Sequence, residues 1–273
     1  MEKEMKLAVL IDAENIASKY IEVILREANA LGNIVYKRIY GNWTAPQMSS
    51  WKDVILDNAI QPIQQYNNTS GKNSSDSSLI IDAMDLLYLG TLDGFCIVSS
   101  DSDFTRLATR LRESEMFVLG MGEQKTPRSF ISACNKFSYL DIIYSSNKAK
   151  ETEEKQNNKS EKSLDTSTTE KAPAGKQSEA QNEQTENEPV AAETPGSNLH
   201  TIKQALQELA EENSDDDGWI FSGKLGGLLN KRFPDFDVRN FGSKKFVPFV
   251  NSLELFETKR DTADPKLIFF KLK

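Results

Sequence analysis

Asp101 and Asp103 are the residues of this chain whose type and spacing most directly offer chemistry. They lie in GFCIVSSDSDF, Gly94–Phe104, where a short apolar and β-branched run gives way abruptly to polar residues. Such a run suits a strand buried on both faces of a parallel sheet. Phe104, Leu107, Ala108 and Leu111 follow at helical spacing, so the two carboxylates stand between a strand's carboxyl end and a helix. In an open α/β sheet that edge is where ligands bind, and hard oxygen donors there are what Mg2+ or Mn2+ requires. A lone Asp at this place reads as a helix N-cap. A cap accounts for one acid and leaves the second. The chain opens in a similar way: KLAVLI at Lys6–Ile11 reads as a buried strand, Asp12, Glu14 and Asn15 follow, and Ile16, Tyr20, Val23, Ile24 and Ala28 take helical spacing.

The elements that must hold these acids alternate along the first half of the chain. Strands are expected at Asn33–Tyr40, Ile60–Tyr66 and Met116–Met121, with Phe137–Ile143 closing the sheet. Helices are expected at Met48–Ile55, from Asp76 with Leu79, Ile80, Ala83, Leu86 and Leu87 inward, and at Pro127–Asn135. Strand and helix alternating at this spacing imply right-handed βαβ units and a parallel sheet, an α/β fold of three α/β/α layers.

At 273 residues, 38% hydrophobic and with a mean hydropathy of −0.52, the chain has too little apolar surface for one compact globule. The deficit falls between Ser145 and Ser197, where Lys, Glu, Gln, Asn, Ser, Thr and Pro leave almost nothing to bury, the signature of a disordered linker. Order resumes at Leu199. One helical face is made by Leu199, Ile202, Ala205, Leu206 and Leu209; Trp219–Phe221 is a brief extended piece; helices follow from Leu225 and over Asn240–Leu253; Leu255–Thr258 and Leu267–Leu272 form a hairpin. This is a small winged-helix-like α+β module. The expected domains are therefore 1–145, a linker at 146–198 and the module at 199–273.

Composition excludes several chemistries. His200 is the only histidine and lies outside the α/β part, which removes Ser-His-Asp triads, HExxH zinc sites and histidine bases from consideration there. Cys96 and Cys134 have no paired spacing and read as reduced core thiols. Gly71-Lys72 lacks the phosphate-loop frame, and no Gly-x-Gly-x-x-Gly follows the first strand. No apolar run approaches the roughly 20 residues of a membrane span, and the N-terminus enters a strand without a signal-peptide core. A cytoplasmic location without membrane contact is expected. A net charge of −8 argues against wholesale wrapping of nucleic acid. The module alone balances 12 Lys and Arg against 12 Asp and Glu, so contact with nucleic acid would fall to a patch such as Lys224, Lys231, Arg232, Arg239, Lys244 and Lys245. A solvated charged face is the other reading of that patch.

The first half of the chain resembles the NYN family, a PIN-like nuclease group. The resemblance rests on LIDAEN at Leu10–Asn15, GKNSSDSSLIIDAMD at Gly71–Asp85 and SSDSDF at Ser99–Phe104. It implies a PIN-like, Rossmann-like topology and an acid cluster holding Mg2+ or Mn2+, carried over onto Asp12, Asp76, Asp101 and Asp103. It further implies that Asn15 orients a ligand or water and that Lys72 contacts phosphate. Asp82, six residues beyond Asp76 on the same helix, faces another direction and would support the ligands from behind. The module resembles the LOTUS or OST-HTH domain in DGWIFSGKLGGLL, FPDFDVRNFGSKKFVPFV and LELFE, which implies RNA binding and, in some members, protein contacts. Lys224, Arg239, Lys244 and Lys245 are its expected RNA contacts, while Phe241 and Phe246 are expected in its core.

Together these features imply a divalent-metal-dependent ribonuclease, an endoribonuclease that hydrolyses single-stranded or structured RNA recruited by the module. The alternative is a non-catalytic RNA-binding adaptor in RNA metabolism. A metal-activated water needs no protein nucleophile, which suits a domain without histidine. Asp12 and Asp101, at the ends of strands expected side by side, are the expected direct ligands, with Asp76 and Asp103 completing the shell.

Overall fold

The computed structural model describes residues 4–65, 74–149, 198–261 and 264–273. In the first half, β1 (Met5–Asp12), β2 (Gly32–Gly41), β3 (Gln61–Gln64), β4 (Gly94–Val98), β5 (Phe117–Gly122) and β6 (Lys136–Tyr139) form one sheet in the order β3-β2-β1-β4-β5-β6, every pair parallel. The strand order reverses between β1 and β4, the place where a doubly wound sheet opens a crevice.

Alternation along the strands divides the core in two. Leu7, Val9 and Ile11 of β1 join Cys96 and Val98 of β4 on one face, while Ala8, Leu10, Phe95 and Ile97 belong to the other. The first face packs against α1 (Ile21–Asn29) through Val23, Ile24 and Ala28, and the second against α3 (Ser74–Tyr88), α4 (Thr105–Glu113) and α5 (Arg128–Ala133) through Leu79, Ala83, Leu107, Leu111 and Phe130. Three layers result. Both cysteines are buried and free, and burial pushes each thiol up to about 12, so they serve as small apolar groups.

Two boundaries differ from the sequence pattern. The segment expected as a helix over Met48–Ile55 is a 3₁₀ turn, Pro46–Trp51, followed by α2 (Lys52–Asp57). The closing strand stops at Tyr139, and residues 140–149 form helix α6, which includes the start of the expected linker. Leu140 and Ile143, three apart, are both buried on the α1 face of the sheet, a helical spacing that an extended Phe137–Ile143 could not satisfy. The remainder of the expected linker, 150–197, lies outside the described residues.

The module has its own core. Helices α7 (Leu199–Asn213), α8 (Ser222–Arg232) and α9 (Phe246–Ser252) enclose Ile202, Leu206, Leu225, Leu229, Phe249 and Val250 with a three-stranded sheet ordered β7-β9-β8, in which β7 is Ile220–Phe221, β8 Phe256–Arg260 and β9 Ile268–Leu272. The long helix expected over Asn240–Leu253 is broken. A 3₁₀ turn at Val238–Phe241 ends on Gly242 at φ +73°, and α9 starts only at Phe246. An added Cβ at Gly242 would meet nothing within 4 Å, so left-handed backbone, not close approach, is what calls for glycine there. Phe241 and Phe246 pack with Phe236 and Phe249, as expected of core aromatics.

Candidate functional site

Asp12 ends β1 and Val98 ends β4, and β1 pairs with β4 in a register that sets Ile11 opposite Val98. The turn after Val98 therefore emerges beside Asp12. Ser99 holds that turn: its Oγ donates to Asp12 Oδ2 at 2.7 Å and accepts from the Asp101 N–H at 3.1 Å. Room for the turn comes from Gly122 at the end of β5. A Cβ there would lie 2.6 Å from both the Ser99 carbonyl oxygen and Thr126 Oγ1. Asp101 then accepts from the Asp103 N–H at 2.9 Å and caps the 3₁₀ turn Ser102–Phe104. The capping role and a place in the acid group coincide in one residue.

Asp76 reaches the same point from the first turn of α3. One carboxylate oxygen from each of Asp76, Asp101 and Asp103 lies within 4.8 Å of the others. Asp76 is buried, and burial foremost, then the charges of Asp12, Asp101, Asp103 and Glu14, push its pKa to about 7. Crowded acids in a partly desolvated cleft resist ionisation together, and a hard cation relieves that resistance. Three carboxylates at this spacing fit Mg2+ or Mn2+ by donor type.

Asp12 stands apart from that triad. It is 1% exposed and its oxygens are filled. Oδ1 accepts from the Glu14 and Asn15 N–H groups at 3.1 and 3.3 Å, and Oδ2 accepts from Asn15 Nδ2 and Ser99 Oγ, each at 2.7 Å. Burial raises its pKa while these hydrogen bonds lower it, with a net rise. Asn15, expected to orient a ligand, thus braces Asp12. The Asp12 carboxylate is the first of the neighbouring charges that raise the Asp76 pKa, and it holds the Ser99 hydroxyl.

Asp82 lies elsewhere on α3. Its two oxygens accept from Arg38 Nη1 and from the Tyr40 hydroxyl, both on β2, so it fastens the helix to the sheet. Burial foremost, then the Asp82 hydrogen bond, raises the Tyr40 pKa. Lys72 lies outside the described residues. In the module, Lys244 and Lys245 are exposed at the start of α9, and exposed Lys224 donates from Nζ to the Asn213 carbonyl oxygen at 2.9 Å. Arg239 is different. Its guanidinium donates to the carboxylates of Glu27 and Asp237. His200, exposed in the first turn of α7, takes no part.

Sequence reasoning passed over Ser99, Arg38 and Tyr40. The polar break after FCIV signalled Ser99; nothing in the spacing of β2 singled out the other two. Among the described residues no helix is long and apolar enough to cross a membrane.

The NYN domain family matches residues 6–141 and the OST-HTH/LOTUS domain family residues 197–268. Among curated proteins none matches the chain. The crystal structure of a protein of unknown function from Vibrio parahaemolyticus is similar at 18% identity over 50% of this chain and 93% of that one, with a TM-score of 0.43. An NYN domain implies a nuclease-like fold and an OST-HTH/LOTUS domain implies RNA binding. This chain is an NYN-domain protein with a C-terminal OST-HTH/LOTUS domain.

Proposed function

We propose that the protein is a divalent-metal-dependent ribonuclease, with its nuclease domain at 1–145, a linker at 146–198 and an RNA-recruiting module at 199–273, acting in the cytoplasm. The observation that carries the reading is the convergence of Asp76, Asp101 and Asp103 to within 4.8 Å where the strand order reverses, with Asp76 pushed up to about 7. Mg2+ or Mn2+ held there would polarise the scissile phosphate, supply a water acidified for attack and stabilise the leaving oxygen.

The chain's own residues set up that chemistry. Asp101 is held by the 3₁₀ turn it caps, and Asp76 stands in the first turn of α3. Asp12 lies beside them and is kept in one orientation by Asn15 and Ser99. The α/β domain lacks histidine altogether, so proton transfer falls to water and these carboxylates. Lys224, Lys244 and Lys245 are the module's cations offered to phosphate.

Calorimetric titration of the full chain with Mn2+, paired with gel analysis of RNA and DNA oligonucleotides, tests the proposal. Saturable Mn2+ binding weakened by Asp76→Asn, with RNA cut and DNA spared, supports it. Saturable binding without cleavage of either nucleic acid would replace it with the adaptor.

A further inference from the structure

Two acids among the described residues are buried without any part in the cleft. Glu27, on α1, is 7% exposed, and Asp235, in the module between α8 and the following 3₁₀ turn, is 2% exposed. Carboxylates are rarely buried to this degree without a partner. Each finds its partner across the boundary between the α/β domain and the module, which fall in one compact unit. Arg239 Nη1 and Nη2 donate to the two oxygens of Glu27 at 2.7 and 2.8 Å. Asp235 Oδ2 accepts from Arg128 Nη1 and from the Tyr139 hydroxyl, each at 3.1 Å. The forked pair is the strong form of an ion pair, since both donors are directed and the charges are shielded from water.

A third contact belongs to the backbone. β6 is the edge of the sheet, and Phe137 on it is 1% exposed. A buried edge N–H that meets no neighbouring strand is costly. Here the Phe137 N–H donates to the Pro234 carbonyl oxygen at 2.7 Å. The segment that carries Pro234, Asp235 and Arg239 thus matches the α/β domain with one acceptor, one anion and one cation.

We infer that the loop from Phe233 to Gly242 is a docking surface whose occupant is the α/β domain of the same chain, received at Glu27, Arg128, Phe137 and Tyr139. The module is then a fixed part of the protein and not a reader swinging on a tether. Arg239 serves the dock. Its neighbour Asp237 accepts from Nε and Nη2 and holds the guanidinium in the orientation that Glu27 receives. Attachment through the rest of the chain keeps the two surfaces at high effective concentration, so three polar contacts suffice where two free proteins would need more.

Amide hydrogen exchange on the full-length chain tests this, with both perturbing substitutions placed on the α/β side so that the module's own fold is untouched. Glu27→Lys sets like charges face to face, and Arg128→Glu does the same to Asp235. In the wild type the Phe137 amide is expected to exchange as slowly as the β5 amides; in either variant it should exchange at least tenfold faster, together with amides of 233–242, while β1 and α7 amides are unchanged. Should Glu27→Lys fail to fold, Arg128→Glu decides, because its side chain is 55% exposed. A wild-type Phe137 amide that exchanges freely, or rates equal in wild type and folded variants, would overturn the dock. Protection that grows with protein concentration would assign the contact to two chains and overturn its intramolecular form.

Discussion

The acids of the cleft and the acids of the dock are the same chemical groups in opposite surroundings. At the dock, Glu27 and Asp235 each meet a guanidinium, and a tyrosine hydroxyl adds to the second. In the cleft, Asp76 is surrounded by further acids, which together with burial push it up to about 7. Matched charge locates a joint, and crowded like charge is a strain that a cation would relieve. Asp82 shows that sequence position does not decide which case applies. It shares α3 with Asp76, yet Arg38 and Tyr40 match it.

The contrast breaks first at the triad. Asp103→Asn should reduce RNA cleavage by ~1000-fold or more, the scale of losing several kcal/mol of metal-assisted stabilisation, with an unchanged or slightly raised melting temperature as the sign that the fold is intact. Asp82→Asn should do the reverse. It leaves Arg38 without its carboxylate and costs about 2 kcal/mol of stability, read by urea titration, while the turnover of the folded fraction stays within a few-fold of wild type. Equal losses of activity in the two variants would erase the distinction.

A pH series sharpens it further. The folded pKa of Asp76, about 7, lies above its ordinary value of 3.8, so between these limits the folded domain keeps a proton that the unfolded chain has released. Its contribution to stability is present at about pH 4, falls as the pH rises to about 7, and changes no more above that. Melting temperatures of the metal-free protein across this range should record the fall, and saturating Mg2+ should flatten it. The smallest effect belongs to the module. Reversing Lys244 and Lys245 to Glu should weaken RNA binding and reduce the salt slope by ~0.7 per lost phosphate contact on a single strand; fluorescence anisotropy at several salt concentrations reads it.

Most of the fold was legible because strand and helix periods alternate cleanly. LAVLI and FCIV can be buried only as central strands, and the acids placed just after them mark the crevice. What stayed hidden was pairing between distant residues. Asp82 with Arg38, and Glu27 with Arg239, are partnerships across 44 and 212 positions, and no local pattern encodes them. Asp12 teaches the same at shorter range: Ser99, 87 residues away, and Asn15 both donate to its carboxylate. At Leu140 an apolar run too short to choose its period became a helix because Leu140 and Ile143 had the α1 face to fill.

The most direct test of the central claim is single-turnover cleavage of an RNA oligonucleotide by the full-length protein against rising Mg2+ or Mn2+, for wild type and Asp101→Asn. A metal-dependent nuclease gives no cleavage in chelator, a saturable rise with metal in the wild type, and background rates in the variant at every concentration despite an intact fold. A wild type that cuts fully in chelator, or an Asp101→Asn protein that cuts at the wild-type rate, would contradict it.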